Sequence, residues 1–235
     1  MIQVRPLTEL DQFREVVQLQ RDIWGWDDLD LLPVRFFVVA NKIGGQVLGA
    51  FDHQSMGGFC IAIPGIKEDN SVYLHSHMLG LLPEWRNAGA GLALKLAQKQ
   101  DALARGITQV EWSFDPLEAK NAYFNIQKLG AIIRRFTPNM YGLTSSPLQA
   151  GLPTDRCVAE WDLTKQPIHS KEVEARVTIP RDMAAIKRDQ PGRAREIQIY
   201  VAQQFEQHLA LGLAVTGFER GQDSGTYLFS PWPSK

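Results

Sequence analysis

Two histidines one residue apart, His75 and His77, have the types and spacing that first point to chemistry. They lie in a mostly apolar run from Tyr73 to Leu82, which predicts a strand, so both imidazoles project from the same face. An imidazole, with a pKa near neutrality, is suited to accepting a proton from an ammonium group. A metal site would need a third ligand, and no Cys or His cluster has the spacing of one. The pair predicts proton transfer and no metal.

The segment after this strand is predicted to bind an anion. Pro83 stops the strand, residues 86–91 (RNAGAG) form a turn with little side-chain bulk, and helical spacing starts at Leu92 and stops at Gly106. The first amides of a helix lack internal partners and carry the positive end of its dipole. A phosphorylated ligand is therefore expected at this turn.

The predicted helix has an apolar side and a polar side. Three leucines recur at helical spacing and are expected to face the core: Leu92, Leu96 and Leu103. Lys95, Lys99 and Asp101 are expected to lie mostly on the other side, away from the core.

Two common nucleotide-binding patterns do not fit the turn. The P-loop requires Lys and Ser or Thr directly after its last glycine, whereas Gly91 is followed by Leu92 and Ala93. The Rossmann fingerprint requires a third glycine at a spacing that Gly89-Ala90-Gly91 lacks. The sequence therefore argues against nucleotide hydrolysis.

The turn resembles the Arg/Gln-x-x-Gly-x-Gly/Ala loop of the GNAT acyltransferases. It follows Leu81-Leu82-Pro83-Glu84-Trp85, which is similar to the strand ending and Pro-acid-aromatic lead-in of that family. Downstream, residues 118–131 resemble the GNAT segment that runs from an Asn through a short helix to Leu-Gly-Phe. The two motifs occur in the family's order and spacing, and together cover roughly residues 72–136.

The resemblance implies acetyl-CoA, or another acyl-CoA, as co-substrate. In the family the loop holds the pyrophosphate of coenzyme A and the Asn contacts the pantetheine arm. A backbone amide of the central strand, where that strand splays from its neighbour around Leu79 to Leu81, polarises the thioester carbonyl. The implied coenzyme-binding residues are Leu79, Gly80, Leu81, Arg86, Asn87, Ala88, Gly89, Ala90, Gly91, Asn121 and Phe124.

The candidate base follows from the same alignment of motifs. His75 lies six residues before Leu81, where histone-acetylating members of the family place a catalytic Glu. His77 shares its face and is the rival, and Glu84 is a third candidate. In the alternative interpretation, both histidines only shape the acceptor pocket.

The usual general acid of the family is absent. Many members have a Tyr four residues before the Gly of Leu-Gly-Phe, and here that position is Ile126. Tyr123 and Tyr141 are substitutes, or the thiolate leaves unassisted, since a thiol with a pKa of about 8.5 is a tolerable leaving group. Asp115 faces the same cleft in the family layout. It either binds or deprotonates the acceptor ammonium, or it is a plain helix cap.

Three further residues are candidates for binding the acceptor. Trp24 and Trp26 correspond to the part of the family fold that lines the acceptor pocket, although the size of these side chains favours a place in the core for at least one of them. Arg156 is suited to bind an acceptor carboxylate through two parallel hydrogen bonds. The alternative is that it pairs with Asp155 or Glu160.

Composition excludes several classes of partner. The chain has 235 residues, a net charge of −1 and scattered basic residues, so neither nucleic acid nor an anionic membrane is expected as a partner. No apolar run has the length of a membrane span and the first residues do not resemble a signal peptide, which predicts a cytoplasmic protein. Cys60 and Cys157 are then expected to be reduced core thiols.

The predicted fold is mixed α/β: a GNAT-type, largely antiparallel central sheet flanked by helices over residues 1–165, with a C-terminal α/β extension over residues 166–235. The extension completes the sheet, covers the acceptor site or forms a homodimer. The predicted function is transfer of an acetyl or succinyl group from coenzyme A to a small-molecule amine such as an amino acid. The alternatives are a coenzyme A binding protein without turnover and an enzyme that acetylates a protein.

Overall fold

The structure is a computed structural model that describes residues 1–142, 149–166 and 172–232. The chain divides into two compact units, Met1–Glu111 and Trp112–Lys235. The boundary between them falls within a single strand. The predicted division at residue 165 is a different one and stays a prediction.

The first unit is an antiparallel sheet with one parallel pair at its end. Its elements are β1 (Gln3–Pro6), α1 (Leu10–Trp24), α2 (Val34–Lys42), β2 (Gln46–Asp52), β3 (Ser55–Ile66), β4 (Val72–Leu81), a 3-10 turn (Pro83–Trp85), α3 (Ala90–Ala104) and the start of β5 (Gln109–Phe114). The strands follow the order β1-β2-β3-β4-β5, and β4 with β5 is the parallel pair.

Helices cover both faces of this sheet, which explains why β3 is buried along most of its length. On one face, Phe13 of α1 and Phe37 of α2 pack with Phe59 of β3. On the other face, Leu94 of α3 packs with Cys60 of β3. Each face therefore has its own hydrophobic core.

Strand β4 contains a β-bulge at His77. The pairing with β3 shifts between Ser76 and Met78, so His77 is an extra residue without a partner on β3. After the bulge, Met78 packs with the α1 and α2 side, whereas Leu79 and Leu81 pack on the α3 side. Strict alternation would have placed these two leucines on the same face as the histidines, and the extra residue reverses that assignment.

The predicted orientation of α3 is wrong. Lys95 is 3% exposed and Gln98 is fully buried next to Leu94, whereas Leu96 is 50% exposed and Leu103 is 39% exposed. The prediction assumed that polar side chains face water. Here the buried polar side chains are bonded to one another and to the sheet, which offsets the loss of hydration.

Both cysteines are free, buried thiols, which confirms the prediction of reduced core cysteines. The surroundings of Cys60 are less apolar than its sequence neighbours suggest. Its sulfur accepts a hydrogen bond from Gln98 Nε2 at 3.4 Å and lies 3.8 Å from the Ser76 hydroxyl. Burial raises the pKa of the Cys60 thiol, so this sulfur is protonated at neutral pH.

The second unit continues from the end of β5. Its further elements are α4 (Ala119–Tyr123), a π-helical turn (Phe124–Lys128), β6 (Ile132–Thr137), β7 (Arg156–Asp162), β8 (Ala175–Pro180), α5 (Met183–Asp189), α6 (Pro191–Ala210), β9 (Leu213–Arg220) and β10 (Ser224–Pro231). The strand order is β5-β7-β6-β9-β10-β8. Strand β9 pairs antiparallel with β6, so strands from beyond residue 165 continue the sheet of this unit.

Helix α6 supplies the centre of the second core. Its Phe205 is fully buried, with ring centroids 5.0 Å from Tyr227 and 5.2 Å from Phe229. Tyr227 is also fully buried, and its hydroxyl donates to the carbonyl of Pro116 at 2.7 Å. The polar end of this ring is thereby satisfied inside the core.

The predicted fold class, a mixed α/β fold with a largely antiparallel sheet and flanking helices, is confirmed. Strand β3 begins at Ser55, because the turn that joins it to β2 is the pair His53-Gln54. Within the described residues, no helix has the length and apolar character to cross a membrane.

Candidate active site

The turn between β4 and α3 has the features of an anion site. Asn87 and Gly89 have positive φ angles of 62° and 87°, which turn the chain sharply into the helix. No side chain caps α3 and its first turn contains no acid. The first hydrogen bond back along the helix runs from the Ala93 amide to the Gly89 carbonyl, so the amides before it have no intrahelical acceptor. These residues fit a pyrophosphate.

Trp85 fixes this turn to the sheet. A side chain at Gly57 of β3 would lie 1.8 Å from the Trp85 ring, so the indole occupies the space that a Cβ would need. The Leu82 amide also donates to the Gly57 carbonyl at 2.9 Å. Arg86 is exposed, and its Nε donates to the Leu81 carbonyl at 3.2 Å. The turn is therefore held by packing and by hydrogen bonds to backbone carbonyls.

His75 and His77 lie beside each other, with ring centroids 6.0 Å apart. The ring of His77 is 5.9 Å from Phe36 of α2, which places the pair on the α1 and α2 face of the sheet. His75 is half-buried, whereas His77 keeps more of its surface in water. Glu84, the third candidate, lies exposed in the 3-10 turn.

Burial lowers the pKa of both imidazoles. For His75 burial is the largest cause, the charges of His77 and Lys95 act in the same direction, and the carboxylate of Glu111 opposes them. For His77 burial alone is responsible. Both rings are therefore neutral at pH 7, which is the state in which an imidazole can accept a proton.

Two tryptophans extend the same face. Trp24 stacks on Trp26 with ring centroids 4.6 Å apart and meets Phe59 edge-on at 5.7 Å. Trp24 also lies against Gly80 of β4, where an added Cβ would be 2.8 Å from its ring. Both tryptophans are half-buried. Trp24 thus borders the core, and Trp26 lies on its outer side.

The segment expected to polarise the thioester is regular next to β3. Leu79, Gly80 and Leu81 pair in order with residues 60, 59 and 58 of β3. The ladder between β4 and β5 consists of two residue pairs, at Leu74 and His75, before the bulge. The bulge against β3 lies at His77 and the ladder with β5 ends at His75, so both come before Leu79, and the predicted splaying around Leu79 to Leu81 stays a prediction.

Asp115 belongs to the second unit and has two partners there. One carboxylate oxygen accepts the Leu117 amide at 2.8 Å, and the other lies 3.2 Å from the ammonium of Lys187. The Lys187 ammonium is also 3.9 Å from Glu118. Burial, followed by the charge of Asp115, raises the pKa of Glu118. These contacts favour a structural role for Asp115, in the turn before α4 and in an ion pair, although it is not the cap of that helix.

The segment around Asn121 combines exposed and buried residues. Asn121 is exposed on α4, and the half-buried ring of Tyr123 lies 3.5 Å from the guanidinium carbon of Arg220. Phe124 begins the π-helical turn, a feature often found at functional sites. Ile126, at the position of the family's Tyr, is 1% exposed, so this position packs in the core.

Arg156 is half-buried beside an exposed tyrosine. Its Nη1 donates to the carbonyl of Asp155 at 2.8 Å, and its guanidinium carbon is 5.6 Å from the Tyr141 ring centroid. The Tyr141 hydroxyl lies 2.9 Å from the Ser113 hydroxyl. An arginine, a tyrosine and a serine therefore form one polar cluster within the second unit.

Glu160, one of the two predicted alternative partners of Arg156, has other partners. Its carboxylate binds the guanidinium groups of Arg134 and Arg135. The carboxylate of Asp155, the other alternative, accepts the Asn139 amide at 2.9 Å.

Comparison with known structures gives the fold. The chain is similar to yncA from Salmonella typhimurium with its cofactor acetyl-CoA, at 12% identity over 73% of this chain and 99% of that one, with a TM-score of 0.56. The Escherichia coli ribosomal-protein-S18-alanine N-acetyltransferase is 13% identical over 74% and 100%, with a TM-score of 0.53. An aminoglycoside 6'-acetyltransferase type Ii is 17% identical over 70% and 99%, with a TM-score of 0.55.

This chain has the GNAT acetyltransferase fold. No protein-family model matches the sequence, and no curated protein sequence matches it significantly. The recognition of the GNAT fold from the turn and the Asn121 segment is confirmed by structural likeness alone.

Within the GNAT fold, sequence reasoning missed Glu111. It is 3% exposed in β5, pairs across the ladder with His75, and binds Lys67 at 2.5 Å and Gln109 at 2.9 Å. Its signal in the sequence is an acid between Val110 and Trp112 in a strand that is otherwise apolar at its centre.

Sequence reasoning also missed Lys95. Its ammonium is buried on the α3 side of β4 and donates to the Ser76 hydroxyl at 2.8 Å. No signal in the sequence identifies this contact, because a lysine in an amphipathic helix ordinarily faces water.

Proposed function

We propose that this protein is an acyl-CoA-dependent N-acyltransferase that acts on a small-molecule amine such as an amino acid. One observation carries the proposal: the uncapped start of α3 directly follows the strand that bears two neutral histidines. An anion site and a proton acceptor on one β–turn–α segment suit a phosphorylated acyl donor. The likeness to yncA with acetyl-CoA supports coenzyme A as that donor.

The proposed coenzyme site uses the turn at residues 86–91. The amides at the start of α3 bind the pyrophosphate, and the exposed side chain of Arg86 adds a positive charge next to them. Leu79, Gly80 and Leu81 lie before the turn and offer backbone groups to the pantetheine and the thioester. Asn121 and Phe124 are proposed to contact the pantetheine arm by analogy with the family's Asn segment.

The proposed reaction begins with an ammonium that loses its proton to His75, directly or through water, while His77 occupies the same face as the alternative base. The free amine nitrogen then forms a bond to the thioester carbon, and the bond from that carbon to sulfur breaks. Coenzyme A leaves as a thiolate and takes up a proton, while the nitrogen, which is cationic once bonded to the carbon, releases its second proton and leaves a neutral amide. A backbone amide of β4 stabilises the developing oxyanion.

The proton for the thiolate has no obvious donor. Ile126 is buried at the position of the family's Tyr, so that position does not supply it. Tyr123 packs against Arg220, and Tyr141 bonds to Ser113. Either hydroxyl is a candidate, and an unassisted departure is the alternative because a thiolate is a tolerable leaving group.

The proposed acceptor carries a carboxylate, and Arg156 is proposed to bind it. Among the described residues the guanidinium donates one hydrogen bond, to the backbone carbonyl of Asp155, and a guanidinium has five N–H groups in all. The aromatic wall of Trp24 and Trp26 is proposed to contact the acceptor's apolar part. A dicarboxylic acyl group such as succinyl on the donor is a second anion, which Arg156 or a histidine would bind.

Two other functions are kept as alternatives. The buried Ile126 favours a coenzyme A binding protein without turnover. The Escherichia coli neighbour, by its name an N-acetyltransferase for an alanine of ribosomal protein S18, illustrates the second alternative, a protein acceptor.

The decisive experiment has two steps. Thermal unfolding is measured with coenzyme A, acetyl-CoA and succinyl-CoA, and a ligand at about 100 times its dissociation constant should add roughly 2.7 kcal/mol to the stability. Free amino acids and their amides are then tested for acylated product by mass spectrometry. The absence of any thermal shift would refute the coenzyme site. Binding without product for any amine would favour the silent protein, and product only from a peptide acceptor would favour the protein-directed enzyme.

A further inference from the structure

A buried polar network lies beneath β4, on the face opposite the histidines. The ammonium of Lys95 donates to the Ser76 hydroxyl at 2.8 Å and to Gln98 Oε1 at 3.0 Å. The side-chain amide of Gln98 in turn donates to the Cys60 sulfur. The backbone carbonyl of Gln98 accepts a hydrogen bond from the side-chain amide of Gln46. All of these side chains are at most 6% exposed. A polar cluster this deeply buried is costly unless its geometry is maintained.

The network touches β4 at the residue between the two histidines. Ser76 is the last residue before the bulge, and His77 is the residue that the bulge adds. Because successive side chains alternate, the Ser76 hydroxyl points to α3 while the two imidazoles point to α2. A bulge next to a reacting group commonly directs a side chain. The Lys95–Ser76 hydrogen bond therefore anchors the strand where the imidazoles are set.

We propose that Lys95 is a positioning residue for His75 and His77, acting through Ser76 from the opposite face of β4. Its hydrogen bond holds the backbone at the bulge, and its positive charge favours the neutral form of the nearby His75 imidazole. The consequence for catalysis rests on the proposed function, but the state of the imidazoles is measurable without turnover.

Lys95 is positively charged in the pH range in which the histidines titrate. Burial lowers the pKa of Lys95 to about 8, so the ammonium stays charged at the lower pH values at which the histidines titrate. Cys60 beside it is protonated in that range. The other charged groups around His75 are His77 on its own strand and Glu111 of β5, which is paired with Lys67. Lys95 and Glu111 thus act on His75 in opposite directions.

The test uses imidazole NMR titrations of the full chain labelled at histidine, with His75 and His77 assigned from His75→Gln and His77→Gln variants. Lys95→Met keeps the length of the side chain and removes the charge. We expect the His75 pKa to rise by about half a unit or more, because a cation that disfavours the imidazolium is gone. Lys99→Met, on the same helix but less buried, should leave it unchanged.

A second variant tests the hydrogen bond alone. Ser76→Ala removes the acceptor hydroxyl and leaves the ammonium in place, so it should displace the ring resonances of His77 while the His75 pKa changes less than in Lys95→Met. Ser76→Ala also tests the positioning of the histidines if Lys95→Met does not fold. Unchanged His77 resonances in Ser76→Ala, or an unchanged His75 pKa in folded Lys95→Met, would overturn the proposal.

Turnover provides the link to catalysis. The acidic limb of kcat/KM against pH should move upward in Lys95→Met by the same amount as the His75 pKa, with the thermal shift by acetyl-CoA retained. A purely structural role would lower the melting temperature of both variants and leave the titration of His75 in place. If the titration moves but the wild-type protein acylates no amine, the positioning role stands and the proposed function fails.

Discussion

Trp24 lies so close to Gly80 that only glycine fits this position of β4. A Cβ built on Gly80 would be 2.8 Å from the Trp24 ring and 3.0 Å from Ile23. A glycine within a buried strand weakens it, and close approach of another group is the usual reason for its presence. The contact fixes the end of α1 against the strand that carries the histidines.

Gly80→Ala should therefore destabilise the protein by about 1–3 kcal/mol, because the added methyl group displaces Trp24 or shifts the strand. Urea unfolding followed by tryptophan fluorescence measures both the stability and the environment of the ring. Gly192→Ala in α6, where an added Cβ meets no atom within 4 Å, is the matched control and should be neutral or slightly stabilising. Equal stability of the two variants would contradict the contact.

Ala88→Glu should weaken coenzyme binding without weakening the fold. Ala88 is exposed just before α3, so a carboxylate there repels a pyrophosphate while it interacts favourably with the helix dipole. We expect at least a tenfold rise in the Kd of coenzyme A by calorimetry, about 1.4 kcal/mol, and an unchanged or higher melting temperature. Gln100→Glu, which places the same charge further along the exposed side of the helix, should leave binding intact. Equal weakening by both changes would point to a general charge effect.

The lowered pKa of His75 predicts a pH dependence of stability. The unfolded state titrates near the ordinary value of about 6.5, so between the folded pKa and that value the unfolded chain holds more protons. The contribution of His75 is thus complete above about pH 6.5 and is lost as pH falls through its folded pKa. In urea unfolding between pH 5 and 8, His75→Gln should lose less stability on acidification than the wild type. His53→Gln, in an exposed turn, is the control for removal of an imidazole. If the stability of His75→Gln changed with pH as steeply as that of the wild type, the predicted contribution of His75 would be ruled out.

Asp115→Asn distinguishes structure from catalysis. Lys187 is buried with Asp115 at 3.2 Å, so neutralising the carboxylate leaves the ammonium with less compensation and should cost about 2–4 kcal/mol. The Leu117 amide keeps an acceptor in the asparagine oxygen. The double variant with Lys187→Met should recover part of the loss, which a double-mutant cycle measures. A catalytic Asp115 would instead lose turnover in Asp115→Asn at unchanged stability.

Arg156→Ala should remove a preference for acceptors with a carboxylate. If Arg156 binds that group, the wild type should acylate amino acids on the order of tenfold to a hundredfold faster than the matching amides at low concentration. The variant should treat the two classes alike, mainly through KM. Arg193→Ala, on α6 with a hydrogen bond to Gln190, is the control and should keep the preference. A preference that survives in Arg156→Ala would assign the carboxylate to another group.

Most of the local structure was predictable because its causes are local. Pro83 follows the end of β4, and the small residues up to Gly91 allow the turn. The proximity of His75 and His77 also follows from the period of a strand. These features depend on neighbours in the chain, so the amino-acid sequence by itself determined them.

The orientation of α3, the bulge at His77 and the environment of the histidines were decided only by the tertiary structure. Lys95 is buried because Ser76, nineteen residues earlier, and Gln98 bond its ammonium. Glu111 acts on His75 because parallel pairing brings β5 alongside β4. A polarity pattern assumes that charges face water, and only the packed structure shows that distant partners replace that water.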